Sequence, residues 1–170
     1  MIRSFDGKSP RIAKTAWVSE AAYVVGDVEI GEGSSVWPGA VIRADFTSIR
    51  IGKNSHIEDN CVLHGGEPLT IGDNIIAGHG VIIHCSSIGD NCLIGNNATL
   101  LDGAEIGETS IVAAGSLVLP GTIVPPRSFV VGSPAEIREA TDDQLRFVRG
   151  LVASDSAYAE MARRFRKAGL

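Results

Sequence analysis

Residues 88–130 read IGDNCLIGNNATLLDGAEIGETSIVAAGSLVLPGTIVPPRSFV. Branched aliphatics stand at Ile88, Ile94, Leu100, Ile106, Val112, Val118, Val124 and Val130, each six residues from the last. The same period runs back towards the N-terminus through Ile12, Val18, Val24, Ile30, Val36 and Ile42, then Ile51, Ile57 and Leu63, then Ile71, Ala77 and Ile83. A six-residue unit is too short to hold a helix. It fits a very short strand and a turn, the repeat of a parallel β-helix. An ordinary sandwich of short strands is the competing reading, but it requires longer runs of alternation.

Three slips and the IG dipeptides set the coil length. Ile42 to Ile51 spans nine residues, Leu63 to Ile71 eight, and Ile83 to Ile88 five. Slips are expected at corners, where extra residues bulge out without disturbing the stacked strands. IG recurs at Ile30, Ile51, Ile71, Ile88 and Ile106, about three units apart, with one further IG at Ile94. Three units per coil make a triangular prism. Coils begin at Ile12, Ile30, Ile51, Ile71, Ile88 and Ile106, with a partial seventh at Val124. The expected fold is an all-β solenoid of six to seven coils, each stacked about 4.8 Å above the last.

The tail from Thr141 departs from this period. Thr141 and Gln144 form a capping-box pattern, with Asp142 and Asp143 suited to a first helical turn. Leu145, Val148, Val152, Tyr158, Ala162 and Phe165 recur at helical spacing, and Arg163, Arg164, Arg166 and Lys167 suit a C-terminus. One helix, weakened at Gly150, is expected to lie on the prism or on a neighbouring subunit. The division is a prism domain over 1–137 and a helical tail over 138–170.

Composition agrees with a narrow, turn-rich core. The 170 residues include 20 Gly and nine aromatics, and 44% are hydrophobic. Thirteen of the glycines fall in two slots, directly after an inward position or three past it. Such slots need close backbone approach or unusual φ/ψ. A net charge of −5 disfavours nucleic acid and anionic membrane as partners. The three cysteines, Cys61, Cys85 and Cys92, form no CxxC pair and read as small buried thiols in a reducing compartment. No stretch reads as a signal peptide or membrane span, so the expected setting is the cytoplasm.

The register also places the four histidines. His64 follows Leu63 and His84 follows Ile83, so the two occupy one slot of the third face in successive coils. At about 4.8 Å apart they can converge on one ion. His79 stands two past Ala77, around a corner from the other two. A closed ring of three prisms would bring His64 and His84 of one chain to His79 of the next. Arg43 lies in the slot stacked before His64, and Asp59 and Asn96 share the column of His79. These charged groups read as supports of the ligands or as intersubunit pairs. His56 lies away from these columns and reads as structural.

VWPGAVIRAD (36–45), IRIGKNSHIEDNCVLH (49–64), PLTIGDNIIAGHGVIIHC (68–85), IGNNATLLDGAEIG (94–107) and VVGSPAEIRE (130–139) resemble the gamma-class carbonic anhydrases and their bacterial relatives. That resemblance implies a left-handed parallel β-helix, a homotrimer, and reversible hydration of CO2 to bicarbonate by a metal-bound hydroxide. It implies that His64, His79 and His84 are the metal ligands, shared across the trimer interface, with Arg43, Asp45 and Asp59 near them. Zn2+ is the default, and Fe2+ or Co2+ suit the same ligands. Two positions depart from the family pattern. Glu58 stands where the family has Gln beside the reacting water. The loop after His64 is short, Gly65 to Pro68, where the family carries a longer acidic loop that supplies a proton shuttle; Glu67 is the one carboxylate in it that the resemblance offers for that role. Two other functions remain open: a hexapeptide-repeat acyltransferase using CoA, with one His as general base, and a metal-binding scaffold trimer.

Overall fold

A computed structural model describes residues 1–153 and 157–169. The chain is a left-handed parallel β-helix of about seven turns followed by helical tail segments. Most strands are two residues long, such as Ile76–Ala77 and Leu93–Ile94, and pair in parallel one coil apart. A two-residue strand sends one side chain inward and the next outward. The six-residue period therefore becomes three rows of buried aliphatics, including Ile30, Ile42, Ile57, Leu63, Ile83 and Ile94. These rows form one continuous core.

The prism's three faces appear as two sheets. The second face is the eight-stranded sheet, and the first and third are joined in one sheet because Tyr23–Ile30 and Val41–Ile51 run unbroken around the corner between them. All three slips fall at this corner. The longest does not interrupt its strand, as a corner loop would. Ala44 pairs with Gly26 and Ile49 with Val28, so residues 45–48 bulge out between paired segments. The N-terminus adds one rung that the repeat does not mark, Ile2–Arg3 pairing with Val24 and Val25.

The two glycine slots answer two different needs. A Cβ on Gly95 would lie 2.5 Å from the Ala114 nitrogen on the next coil, whereas Gly115 meets nothing within 4 Å but has φ +70°. At the second kind of slot, asparagine often replaces glycine: Asn54, Asn60, Asn74, Asn91 and Asn97 all have positive φ. Asparagine tolerates this left-handed conformation better than other side chains.

The tail forms two helices, not one. α1 spans Asp142–Leu151 and begins at the capping box of Thr141 and Gln144. α2 spans Ala157–Ala168. Gly150 sits inside the last turn of α1, and the helix stops at Val152, which is buried. Residues 154–156 of the expected single helix lie outside the described residues. The second face explains the packing. Its outward positions include Trp17, His56, Ile76, Leu93, Ile111 and Phe129, a row that is apolar apart from His56 and demands cover. Val148 and Val152 cluster with Ile76 and Ile111, while Ala162 and Phe165 pack on Trp17 and Trp37. The Trp17 and Trp37 rings meet at 5.0 Å and Phe165 lies 5.1 Å from Trp37.

His56 is sealed beneath α2, 2% exposed and stacked on Tyr158 at 6.1 Å. The Trp37 indole N–H donates to Ser35 Oγ at 2.8 Å, so the Ser35 hydroxyl is free to donate to His56 Nδ1 at 2.7 Å. That bond requires an unprotonated Nδ1. Burial, helped by the Arg163 charge, pushes the ring's pKa from 6.5 down to about 4. An unfolded chain therefore takes up this proton at higher pH than the folded one. Stability is complete above pH 6.5 and falls as the pH drops towards 4, by at most about 3 kcal/mol from this group. Urea unfolding at a series of pH values should show that loss, and the His56 ring resonances should not move near pH 6.5. A His56 that titrates at its ordinary value would overturn the assignment.

Candidate metal centre

His64 and His84 are stacked as the register expects. The His64 backbone N–H donates to Ile83 O at 3.1 Å and that of His84 to Leu100 O at 2.9 Å. Their ring centroids lie 5.4 Å apart. Each ring has a carboxylate beside it. His64 Nε2 is 2.9 Å from Asp45 Oδ1, and Asp45 also pairs with Arg43. Desolvation opposes ionisation at Asp45, but the hydrogen bonds from Arg43 and His64 prevail and hold its pKa below the usual carboxylate value. His84 Nδ1 lies 3.0 Å from Asp102 Oδ1, yet at an angle that makes no hydrogen bond, so this buried nitrogen is left without a partner. Asp102 stands two past Leu100, a position that the register could have flagged.

His79 is on the other side of the corner, as expected, and its side chain is 57% exposed. Its Nδ1 is 3.1 Å from Asp59 Oδ2 and 3.6 Å from Glu58 Oε2. Its backbone N–H donates to Asn96 Oδ1, which fixes the turn that carries it. Glu58 is 5% exposed and its Oε1 has no hydrogen-bond partner. Burial pushes its pKa up to about 7 against the pull of His79, with Asp59 adding to the rise. A proton-bearing Glu58 donates and accepts, as a glutamine amide does.

One chain does not gather the three histidines. Among the described residues, the His, Cys, Asp and Glu atoms that converge within 4.8 Å are those of Glu58, Asp59 and His79. His84 lines a cleft of about 300 Å3 with Glu67, Cys85 and Asp102. His79 lines a separate hollow of about 310 Å3 with Trp37, Glu58, Tyr158 and Met161. Glu67 is exposed at the rim of the His84 cleft. Sequence reasoning missed the tail's share of the His79 hollow and the place of Phe46, whose ring lies 5.7 Å from that of His64. The signal for Phe46 was its position inside the longest slip. The three cysteines are free and buried, and burial raises their thiol pKa values to about 12, so they are not exposed ligands.

Comparison with known proteins now defines the class. Residues 85–120 match the family model for the bacterial transferase hexapeptide, six repeats. A carbonic anhydrase of Geobacillus kaustophilus is 44% identical over 149 residues, covering 86% of this chain and 82% of that protein. A probable carbonic anhydrase of Methanocaldococcus jannaschii is 49% identical over 81% of this chain and 89% of that one. The mitochondrial gamma carbonic anhydrase 2 of Arabidopsis thaliana is 38% identical over 87% of this chain, which spans 56% of that longer protein. Among solved structures, a Bacillus cereus protein described as a putative acetyltransferase superposes with a TM-score of 0.93 at 36% identity, covering 98% of this chain and 97% of that one. The chain belongs to the gamma carbonic anhydrase family of hexapeptide-repeat proteins.

Proposed function

We propose that this protein hydrates CO2 reversibly to bicarbonate, with release of a proton, at a divalent-cation site between the subunits of a homotrimer. The observation that carries this reading is the division of the histidines: two stacked on one face, the third around a corner, each beside a carboxylate. The donor set fits a borderline cation, because three neutral imidazoles bind Zn2+ and leave coordination positions for water. His84 Nδ1, buried without a hydrogen-bond partner, fits the same purpose. His64 and His84 of one subunit and His79 of the next would hold Zn2+, and Fe2+ or Co2+ suit the same donors. Bound there, the cation supplies a Lewis acid that brings the pKa of a water to about 7.

The chain's own residues position and relieve the reaction. Asp45, held by Arg43, fixes the His64 ring, and Asp59 fixes that of His79. Glu58 orients the attacking oxygen through a carboxyl oxygen that no other group occupies. Glu67, at the mouth of the His84 cleft, carries the proton to solvent. In this reading residues 1–137 are the scaffold and 138–170 the tail, whose α1 and α2 cover the second face and whose Tyr158 and Met161 line the His79 hollow. A cytoplasmic setting accords with the three free thiols. Among the described residues no helix is long and apolar enough to cross a membrane.

Metal-replete protein is expected to hydrate CO2 above the buffer rate in a stopped-flow indicator assay. No activity with zinc, iron or cobalt would overturn the reading. The transferase descriptions of structural relatives support a second reading, an acyltransferase using CoA. Tight acetyl-CoA binding by protein that holds no metal after gentle purification would favour it. A metal-loaded trimer that stays inactive even as Glu58→Gln would point to a scaffold.

A further inference from the structure

Two apolar features flank the separated ligands. On the His64 side, Phe46 is 77% exposed within the bulge of residues 45–48, its ring 5.7 Å from the imidazole. A phenyl ring held in water on the surface is unfavourable unless something covers it. On the His79 side, the hollow is floored by Trp37, Tyr158 and Met161. These features lie on different faces of one prism, so Phe46 cannot fill its own subunit's hollow.

A shared cation changes that relation. Held by one cation, His64 of one subunit and His79 of the next would approach one point. Phe46 would travel with His64 and the hollow with His79, which would bring the two face to face. Polar groups suit this docking. The Phe46 side carries Arg43, 42% exposed and paired with Asp45, and the hollow side carries Asp59, 36% exposed beside His79. The outward row of the third face, Val41, Val62 and Ile82, is half-buried and extends the apolar surface alongside.

We infer that Phe46 seats against the Trp37–Tyr158–Met161 hollow of the neighbouring subunit, so that the occupant of the hollow is a second copy of this chain. This inference rests on the shared site of the proposed function. Its consequence is that the tail helix α2 and the bulge of the next subunit close one apolar chamber beside Glu58, a surrounding suited to a small uncharged substrate.

The test joins the two positions across subunits. Phe46→Cys and Met161→Cys are combined in the full chain and treated with a short bis-maleimide. Both native positions are exposed, and the buried native thiols, with pKa values of about 12, stay silent. Denaturing gels are expected to show covalent dimers and closed trimers from the double variant and neither from the single variants. Metal content and sedimentation are measured on the same samples. A metal-loaded trimer that yields no intersubunit product overturns the Phe46 contact and leaves the shared site standing. A wild-type chain that sediments as a monomer overturns both. A second measurement covers loss of assembly on substitution. Phe46→Ala should weaken association at least tenfold while Phe46→Leu retains it, and equal behaviour of wild type and Phe46→Ala counts against the contact.

Discussion

Mixing His64→Ala chains with His79→Ala chains is expected to restore about one quarter of the metal sites of the proposed shared centre, although each variant alone should lose its metal. The fraction follows from counting in a closed ring. A shared site takes His64 and His84 from one subunit and His79 from the next. It is intact only when the first chain carries the His79 substitution and the second carries the His64 substitution. Each condition holds for half of randomly exchanged subunits. A site contained in one chain gives no recovery at any mixing ratio, because every chain lacks a ligand. Metal analysis after exchange, with exchange itself shown by mass labels, reads the difference. The effect is large because each substitution leaves two of the three imidazoles; His79→Ala, for instance, leaves His64 and His84, whose ring centroids lie 5.4 Å apart. It also does not depend on turnover, so Glu58 and the short loop after His64 do not confound it.

The same site shows what could be read from the sequence. Most strands are two residues long, so position within the six-residue unit fixes whether a side chain points inward, outward or into a corner. That is why the stacking of His64 on His84, and the separation of His79 from both, followed from counting alone. Counting does not say how a long side chain turns once it leaves the surface. Arg43 turns to Asp45, and the Asp102 carboxylate reaches His84 Nδ1 at 3.0 Å without making a hydrogen bond. The tail has no six-residue period, and its path follows the apolar outward row of the second face. Its break after Leu151 lets α1 cover Ile76 and Ile111 while α2 covers Trp17 and Trp37. Helical periodicity continued through that break, so the pattern predicted one helix. The bulge at residues 45–48 was visible as extra length, but its exposed ring gains meaning only from the neighbouring face.

Gly95→Val is expected to destabilise the fold by about 3 kcal/mol or more, while Gly115→Asn changes it by less than about 0.5 kcal/mol. The two glycines lie one coil apart on the second face and look equivalent in composition. Gly95 follows the inward Ile94, and its coil rests directly on the next. A Cβ there would approach the Ala114 nitrogen at 2.5 Å and the Ala113 carbonyl carbon at 2.9 Å. Both are backbone atoms in stacked coils, so no side-chain rotation relieves the clash. The Gly95 N–H also donates to Val112 O at 2.7 Å, and separating the coils weakens that bond. Gly115 has φ +70° and open space where a Cβ would go. Its need is conformational, and Asn97, with φ 57°, already meets the same need one coil earlier. Urea midpoints of the two variants at neutral pH measure the contrast. Equal losses would mean that a single conformational requirement governs both slots. A large loss at Gly95 alone means that the coil spacing itself, maintained by glycine directly after the inward aliphatic, limits what this repeat accepts.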